Sequence, residues 1–391
     1  WGNLKEGLSK SVAYCKDNGI ELTSVGVDTW GVDFGLLGQS GSLLGVPFAY
    51  RDPRNEVAMG EVIEKVGDER LYGMTGIQFM PFNTLFQLAA WQKAEPDVLA
   101  AAKTLLFTPD LLHYFFTGEA KIESSIASTS QMIDPRTGRW SNELLEELGL
   151  PSGLLTDPVP PGTVIGTLRE EVAAETSAPV DLKVIAPASH DTASAVAAVP
   201  ADADTNWMFL SSGTWSLMGL ELAEPVLTEA ARGQNFTNEG GVDGTIRFLK
   251  NISGLWLVQE VRRAYEKDGV TYDYDALTRM AGEAEPFRTL VDPDHGPFMQ
   301  PGEMPGKIAA FAEKTGQPIP ETPGQFVRCC LESLALTYRR TLEGMIEVTG
   351  KSIDVRFNYT PEFDEAPWQP CEPLLPCHLA STEPCSHAVY V

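Results

Sequence analysis

"LKVIAPASHDTASAVAAVPADADTNWMFLSSGTWSLMGLEL", residues 182–222, holds the architecture of the 391-residue chain in one passage. The apolar run Leu182–Ala186 reads as a strand, and "HDTASAVAAV" as a helix of small residues opening directly behind it. "PADADT" has the polar, proline-containing makeup of a domain junction. "NWMFLSSGTWSLMGLEL" then gives two apolar strands around a turn of Ser, Gly and Thr. Strand, helix, junction and hairpin in this order predict an α/β protein of two domains that divide near residue 200.

The flanking sequence extends that pattern. Leu4, Leu8 and Val12 recur at helical spacing, which predicts a helix ending near Asn18–Gly19. "LTSVGVDTWGVDFGLLGQSGSLLG", residues 22–45, reads as strand, tight turn and strand, with a further turn at Gly38–Ser42. From Asn55 to Leu150 the patterns are mainly helical, as in "NTLFQLAAWQKA" and "SNELLEELG". "VPPGTVIG" is a loop entering a strand, while "SGLWLVQEVRRAYEKDG" and "FVRCCLESLALTYRRTLEGMIEVTG" are helices with apolar stripes and glycine stops. The last stretch differs in kind. Residues 351–391 contain no glycine, although the preceding 350 hold all 35, and they carry three of the six cysteines. Neither periodicity is evident there, so an unstructured tail is expected beyond Val355.

Composition narrows the function. With 29 basic against 54 acidic residues the net charge is −25, which repels nucleic acid and anionic membranes. An anionic co-substrate therefore needs local backbone N–H groups, a few basic side chains or a cation. "TLLFTPDLLHYFF" is the longest apolar candidate, but Pro109, Asp110 and His113 interrupt it, so no membrane span is expected. No basic-then-apolar leader follows Trp1, and the three N-x-S/T triplets, at Asn235, Asn251 and Asn358, read as chance. The cysteines form no disulfide framework, and Cys371, Cys377 and Cys385 with His378 and His387 contain no C-x-x-C pair, so no metal site is expected.

Nucleotide fingerprints are absent. "GMIEVTGKS" has one residue too many between Gly344 and Gly350 for a P-loop and follows a helix instead of a strand. Other features remain open in meaning. "SSGTWS", Ser211–Ser216, is either a plain hairpin turn or a nest of N–H and hydroxyl groups for phosphate oxygens. "VGVDTWGVDFG" places Asp28, Trp30, Gly31 and Asp33 around a turn: a half-buried hairpin, or a sugar pocket with a stacking ring and carboxylates for hydroxyl groups. Asp191 is an excellent N-cap residue, and a helix N-terminus also keeps a carboxylate charged and able to take a hydroxyl proton. His190 beside it is either a hydrogen-bonded interior histidine or a ligand contact. A carboxylate pair of Asp28 and Asp191 would also suit glycoside hydrolysis, which needs no ATP.

In order along the chain, "SVGVDTWGVDFGLL", "PFAYRDPRN", "TGIQFMPFNTLFQL", "PDLLHYFFTGE", "VIAPASHDTASAV", "LSSGTWSLMG" and "NFTNEGG…RFLKNISGLWLVQE" resemble the FGGY carbohydrate kinases over nearly all of residues 1–355. Within that family the resemblance is to members that phosphorylate the 1-hydroxyl of L-rhamnulose. It implies an actin-like, RNase H-like two-domain ATPase fold with the active site in the interdomain cleft, and ATP and Mg²⁺ as cofactors. The implied domains are residues 1–199 for sugar, 200–355 for nucleotide, and a non-family tail from 356. Carried over by motif, Asp191 is the general base; Gly31, His190, Thr192 and Asn251 line the sugar site; Thr214 and Gln259 fall on ATP-binding positions. The family's D-x-G phosphate loop and its G-G-G-x-x-N adenosine segment have no counterpart here. The resemblance therefore implies a chain incomplete at both ends, with the reading frame lost after Val355. A kinase for another ketose or polyol, or an impaired sugar-binding fragment, are the alternatives. The partners would be a sugar and ATP, without nucleic acid or membrane, in the cytoplasm; the oligomeric state stays open.

Overall fold

The computed structural model describes residues 1–202, 205–359 and 369–371. They form two compact units: Trp1–Ala198 with Glu221–Phe248, and Val199–Leu220 with the chain from Leu249 onward. The first division falls beside the expected junction, but Glu221–Phe248 packs with the first unit, where a boundary at residue 200 alone had put it in the second. Asn238 is a reason. Its amide donates to the carbonyls of Gly76 (2.9 Å) and Val226 (3.1 Å), and Gly240 N–H donates to Ser128 Oγ at 2.7 Å. These polar groups pair within the first unit.

In the first unit, helix Gly2–Asp17 buries Leu8 and lays Leu4 and Val12 on Phe116, Leu168, Val172 and Leu182. A three-stranded sheet joins Ser24–Val25, Lys183–Ile185 and Val164–Thr167, the first pair parallel and the second antiparallel. The segment 22–45 corrects the hairpin reading. Ser24–Val25 pairs with Lys183–Ile185, while Phe34–Gly38 pairs antiparallel with Ala102–Phe107. Between them Val32 sits at φ 68°, and Asp33 N–H bonds back to the Gly31 carbonyl at 2.9 Å. That is a tight three-residue turn in a sense a β-branched residue strongly disfavours, and it breaks any ladder there. Strand Ala102–Phe107 lies in a stretch read as mainly helical; its short apolar run "TLLF" carries no period that separates strand from buried helix.

In the second unit, Trp207–Ser212 and Trp215–Leu222, whose last two residues belong to the first unit, form the expected antiparallel hairpin. Helices Trp256–Lys267 and Pro323–Thr349 follow, the latter stopped by Gly350 at φ 67°. Leu257, Val261, Leu277, Phe298, Ile308 and Cys330 centre the core. Burial pushes the Cys329 thiol up to about 12, so it is an inert packing group. Val355–Tyr359 adds a strand parallel to Trp207–Ser212, and Gln369–Cys371 pairs antiparallel with it. Order thus continues four residues past the expected start of the tail. The alternation Val355-Arg-Phe-Asn-Tyr is a strand pattern, and Phe357 meets Trp207 edge-on at 6.1 Å. The rest of the tail, 360–368 and 372–391, lies outside the described residues, as do Cys377, Cys385, His378 and His387. Among the described residues no helix is long and apolar enough to cross a membrane.

Candidate active site

The "DTWG" and "SHDT" segments meet through the backbone. Thr29 and His190 form a parallel bridge in which Thr29 N–H donates to Ser189 O (3.0 Å) and Asp191 N–H donates to Thr29 O (2.9 Å). Helix Asp191–Ala197 begins here, with His190 as its N-cap residue. Asp191 therefore occupies the first helical position, one residue inside the expected cap. Its Oδ1 accepts the N–H of Thr192 at 2.6 Å and faces the Thr192 hydroxyl at 3.3 Å. The Asp191 side chain is 55% exposed, whereas His190 is 9% exposed beside it. A carboxylate open to solvent at the start of this helix, beside the isolated Thr29–His190 bridge, is thus flanked by two buried polar neighbours, His190 and Thr192.

The two aspartates of "DTWGVDF" separate in role. Asp33 is buried; its Oδ2 accepts the Trp30 indole N–H at 3.0 Å and its Oδ1 the Gln87 amide at 3.3 Å. Burial raises its pKa, opposed by these two bonds. The carboxylate holds the half-exposed Trp30 ring and is not presented to a ligand, contrary to the reading in which both aspartates face a sugar. Asp28 is exposed as a residue, yet desolvation of its carboxyl raises its pKa, and the neighbouring Asp191 charge adds to the rise. The two carboxylates are electrostatic neighbours. Gly31 permits the close approach of Thr129: a Cβ there would lie 3.2 Å from Thr129 Oγ1, which accepts the Val32 N–H.

Thr214 and Gln259 lie together in the second unit. Gln259 Nε2 donates to Thr214 Oγ1 at 3.2 Å, and both residues are half-buried. The hairpin turn itself is tighter than an open nest. Gly213 N–H donates to Trp215 O at 2.9 Å, and Ser216 Oγ bonds Tyr338 at 2.5 Å. The chain at Gly254 lies against this turn, because a Cβ there would come within 2.6 Å of Gly213 O. Asn251 is half-buried on strand Ile246–Ser253 within the second unit, whereas Gly31, His190, Asp191 and Thr192 all lie in the first.

Residues 8–198 match the N-terminal domain, and residues 208–355 the C-terminal domain, of the FGGY family of carbohydrate kinases. This chain belongs to that family. It is 47% identical over 352 residues to the rhamnulokinase of Bacteroides thetaiotaomicron, covering 90% of this chain and 70% of that protein. It is 42% identical over 332 residues to that of Oceanobacillus iheyensis, covering 85% and 69%. Its fold matches a ligand-bound xylulose kinase from Lactobacillus acidophilus with a TM-score of 0.72 at 15% identity, covering 92% of this chain and 72% of that one. Plasmodium falciparum glycerol kinase with ADP matches at 0.69 and 13%, covering 92% and 71%. The α/β two-domain fold is that of the FGGY kinases.

Sequence reasoning missed three charged residues of this FGGY kinase. Glu123 is fully buried and caps helix Ser124–Ser128, accepting from the backbone N–H groups of Ser125 and Ile126. It also accepts the Ser189 N–H at 3.0 Å, so one carboxylate holds the main chain next to His190. Arg247 and Glu239, both buried, stand 3.1 Å apart, and each lies within 3.3 Å of His190 Nδ1. Their available signal was a charge inside an apolar run, as in "TIRFLK", which periodicity alone reads as a solvated face.

Proposed function

We propose that this FGGY kinase transfers the γ-phosphoryl group of ATP to the 1-hydroxyl of L-rhamnulose, with Asp191 as general base, in the cytoplasm. The observation that carries the assignment of the base is the Asp191 carboxylate: exposed at the first position of helix Asp191–Ala197, fixed through Oδ1 by its own helix, and set beside the buried polar pair His190 and Thr192. Similarity to rhamnulokinases over most of the chain supports the sugar.

The chemistry asks little covalent work of the protein. As the sugar oxygen bonds to the γ-phosphorus, its proton passes to Asp191, and the bond to the β-phosphate oxygen breaks to release ADP. Trp30, held by Asp33, offers a half-exposed face for the sugar ring, and His190 and Thr192 are polar contacts beside it. The neutral, half-buried Thr214–Gln259 pair is joined by a 3.2 Å bond that a nucleotide can exchange, which fits an ATP subsite. Mg²⁺, when bound, would offset phosphate charge. Such an ion is held mostly by phosphates with one or two carboxylates, and Asp28, an electrostatic neighbour of Asp191, is available as one.

The test is to incubate the chain with L-rhamnulose and Mg-ATP and to follow ADP. Asp191→Asn should lower kcat roughly 10²- to 10⁴-fold while sugar binding by calorimetry stays nearly unchanged. Retained turnover in that variant removes Asp191 as the base, and faster turnover of another ketose or a polyol overturns the assigned sugar.

A further inference from the structure

Arg247 is fully buried near the start of strand Ile246–Ser253. A guanidinium out of water is costly unless its hydrogens are matched, and burial does lower its pKa, with Glu239, Glu123 and Asp191 opposing. The matching is partial: Nη1 is buried with no hydrogen-bond partner among the described residues, and the other two nitrogens have defined partners. Its Nε donates to Gly240 O at 3.0 Å, and its Nη2 lies 3.1 Å from Glu239 Oε2 and 3.2 Å from His190 Nδ1.

Arginine can only donate, so at the Nη2···Nδ1 contact the imidazole must accept, and the proton of the neutral ring then sits on Nε2. Nη2 directs a hydrogen at His190 Nδ1 and pairs with Glu239 Oε2 by charge. Glu239 Oε2 is itself 3.3 Å from Nδ1 and, acting alone, would favour the opposite tautomer with Nδ1–H. Arg247 decides between the two. The outcome matters at the other edge of the ring, where Nε2 lies 3.4 Å from Asp191 Oδ1. An N–H there stabilises the carboxylate; a lone pair would repel it and compete for the proton. The main chain is pinned separately: His190 N–H donates to Ser125 Oγ at 3.2 Å, and Ser125 Oγ donates to Glu123 at 2.6 Å. Among the described residues, Asp191, Glu239 and Arg247 lie at the ring, with Asp28 acting through space and Glu123 behind Ser125.

We propose that Arg247 is a positioning residue of the sugar site: with Glu239 it fixes His190 in the Nε2–H form, so that the ring offers a donor to a sugar oxygen and keeps its lone pair away from Asp191. Being fully buried, Arg247 touches no substrate and acts through His190. The inference rests on the reading of Asp191 as base.

The test labels the histidines of the full chain with ¹⁵N and reads ring tautomers by long-range ¹H–¹⁵N NMR, with the His190→Gln spectrum assigning the signal. His190 is expected as Nε2–H, and Arg247→Met is expected to shift it toward Nδ1–H. In parallel, kcat with the ketose should fall roughly 100-fold with the KM for ATP unchanged, and Arg247→Lys should restore part of both the signal and the rate. Arg247→Met strands the Glu239 charge and can fail to fold. The double variant Arg247→Met with Glu239→Met removes both charges, and it should fold with mixed tautomers and low kcat. An Nδ1–H ring in the unaltered protein, an Nε2–H ring persisting in Arg247→Met, or full kcat in the folded double variant would each overturn the proposal. Failure of the unaltered chain to bind the sugar or form ADP would instead defeat the proposed function, and the tautomer result would stand apart from it.

Discussion

Replacing His113 by glutamine isolates one buried proton site. His113 lies on helix Thr108–Thr117, is 1% exposed, and accepts the Val27 N–H on Nε2 at 3.1 Å. Its other nitrogen is buried with no hydrogen-bond partner among the described residues. Protonation would put a hydrogen where Val27 already donates and would leave an uncompensated charge, so burial lowers the His113 pKa from 6.5 to about 4. A depressed folded pKa means that the unfolded chain takes the proton first. The stability that depends on neutral His113 is therefore fully present above pH 6.5 and is lost as pH falls toward about 4. Complete protonation corresponds to a loss of about 3 kcal/mol, of which about 2 kcal/mol has appeared by pH 5. Asp110, one turn earlier, carries a raised pKa and opposes this trend, so the wild-type pH profile alone does not isolate the histidine. Comparison with His113→Gln does, because the amide oxygen can still accept from Val27 and the other groups cancel. Urea unfolding at pH 7 and pH 5, followed through the transition of the first unit, should show the variant less stable at pH 7. That deficit should shrink or reverse by about 2 kcal/mol at pH 5. The same deficit at both pH values would refute the reasoning.

Two further outcomes follow from close contacts. Gly254→Ala would drive a Cβ against the Gly213 carbonyl at 2.6 Å and the Ser216 hydroxyl at 2.7 Å; it should cost about 1–3 kcal/mol and weaken ATP binding. Unchanged melting temperature and nucleotide affinity would show that the turn is not crowded. Asp33→Ala should release Trp30 and weaken sugar binding roughly tenfold, while Asp33→Asn, which keeps an oxygen for the indole N–H, restores most of it. Tryptophan anisotropy and calorimetry read the two effects, and equal affinity in both variants would remove Asp33 as the support of the ring.

Much of this kinase was legible along the chain. Helix Gly2–Asp17, hairpin Trp207–Leu222, helix Asp191–Ala197 and the long helix closed by Gly350 all announce themselves through neighbours three or four residues away, or through strict alternation. The exposed Asp191 was visible too, since its position depends on a helix start. Strand Ala102–Phe107 was not, because a short buried apolar run has no period. Nor was Val355–Tyr359, whose alternation is brief and sits beside a proline- and cysteine-rich stretch.

Partners distant in sequence were decided by tertiary structure alone. Phe34–Gly38 pairs with Ala102–Phe107 and not with the strand just before it, because the strained turn at Val32 redirects the chain toward the more deeply buried neighbour. Asp33 resembled a sugar contact until its burial against Trp30 and Gln87 gave it another role. Arg247 meets His190 across 57 residues, and Glu123 meets Ser189 across 66. Local pattern reports what each segment prefers by itself, so helix, hairpin and the placing of Asp191 were determined by the sequence directly. Which buried charge must answer which is set by desolvation, a cost that exists only once the segments have packed.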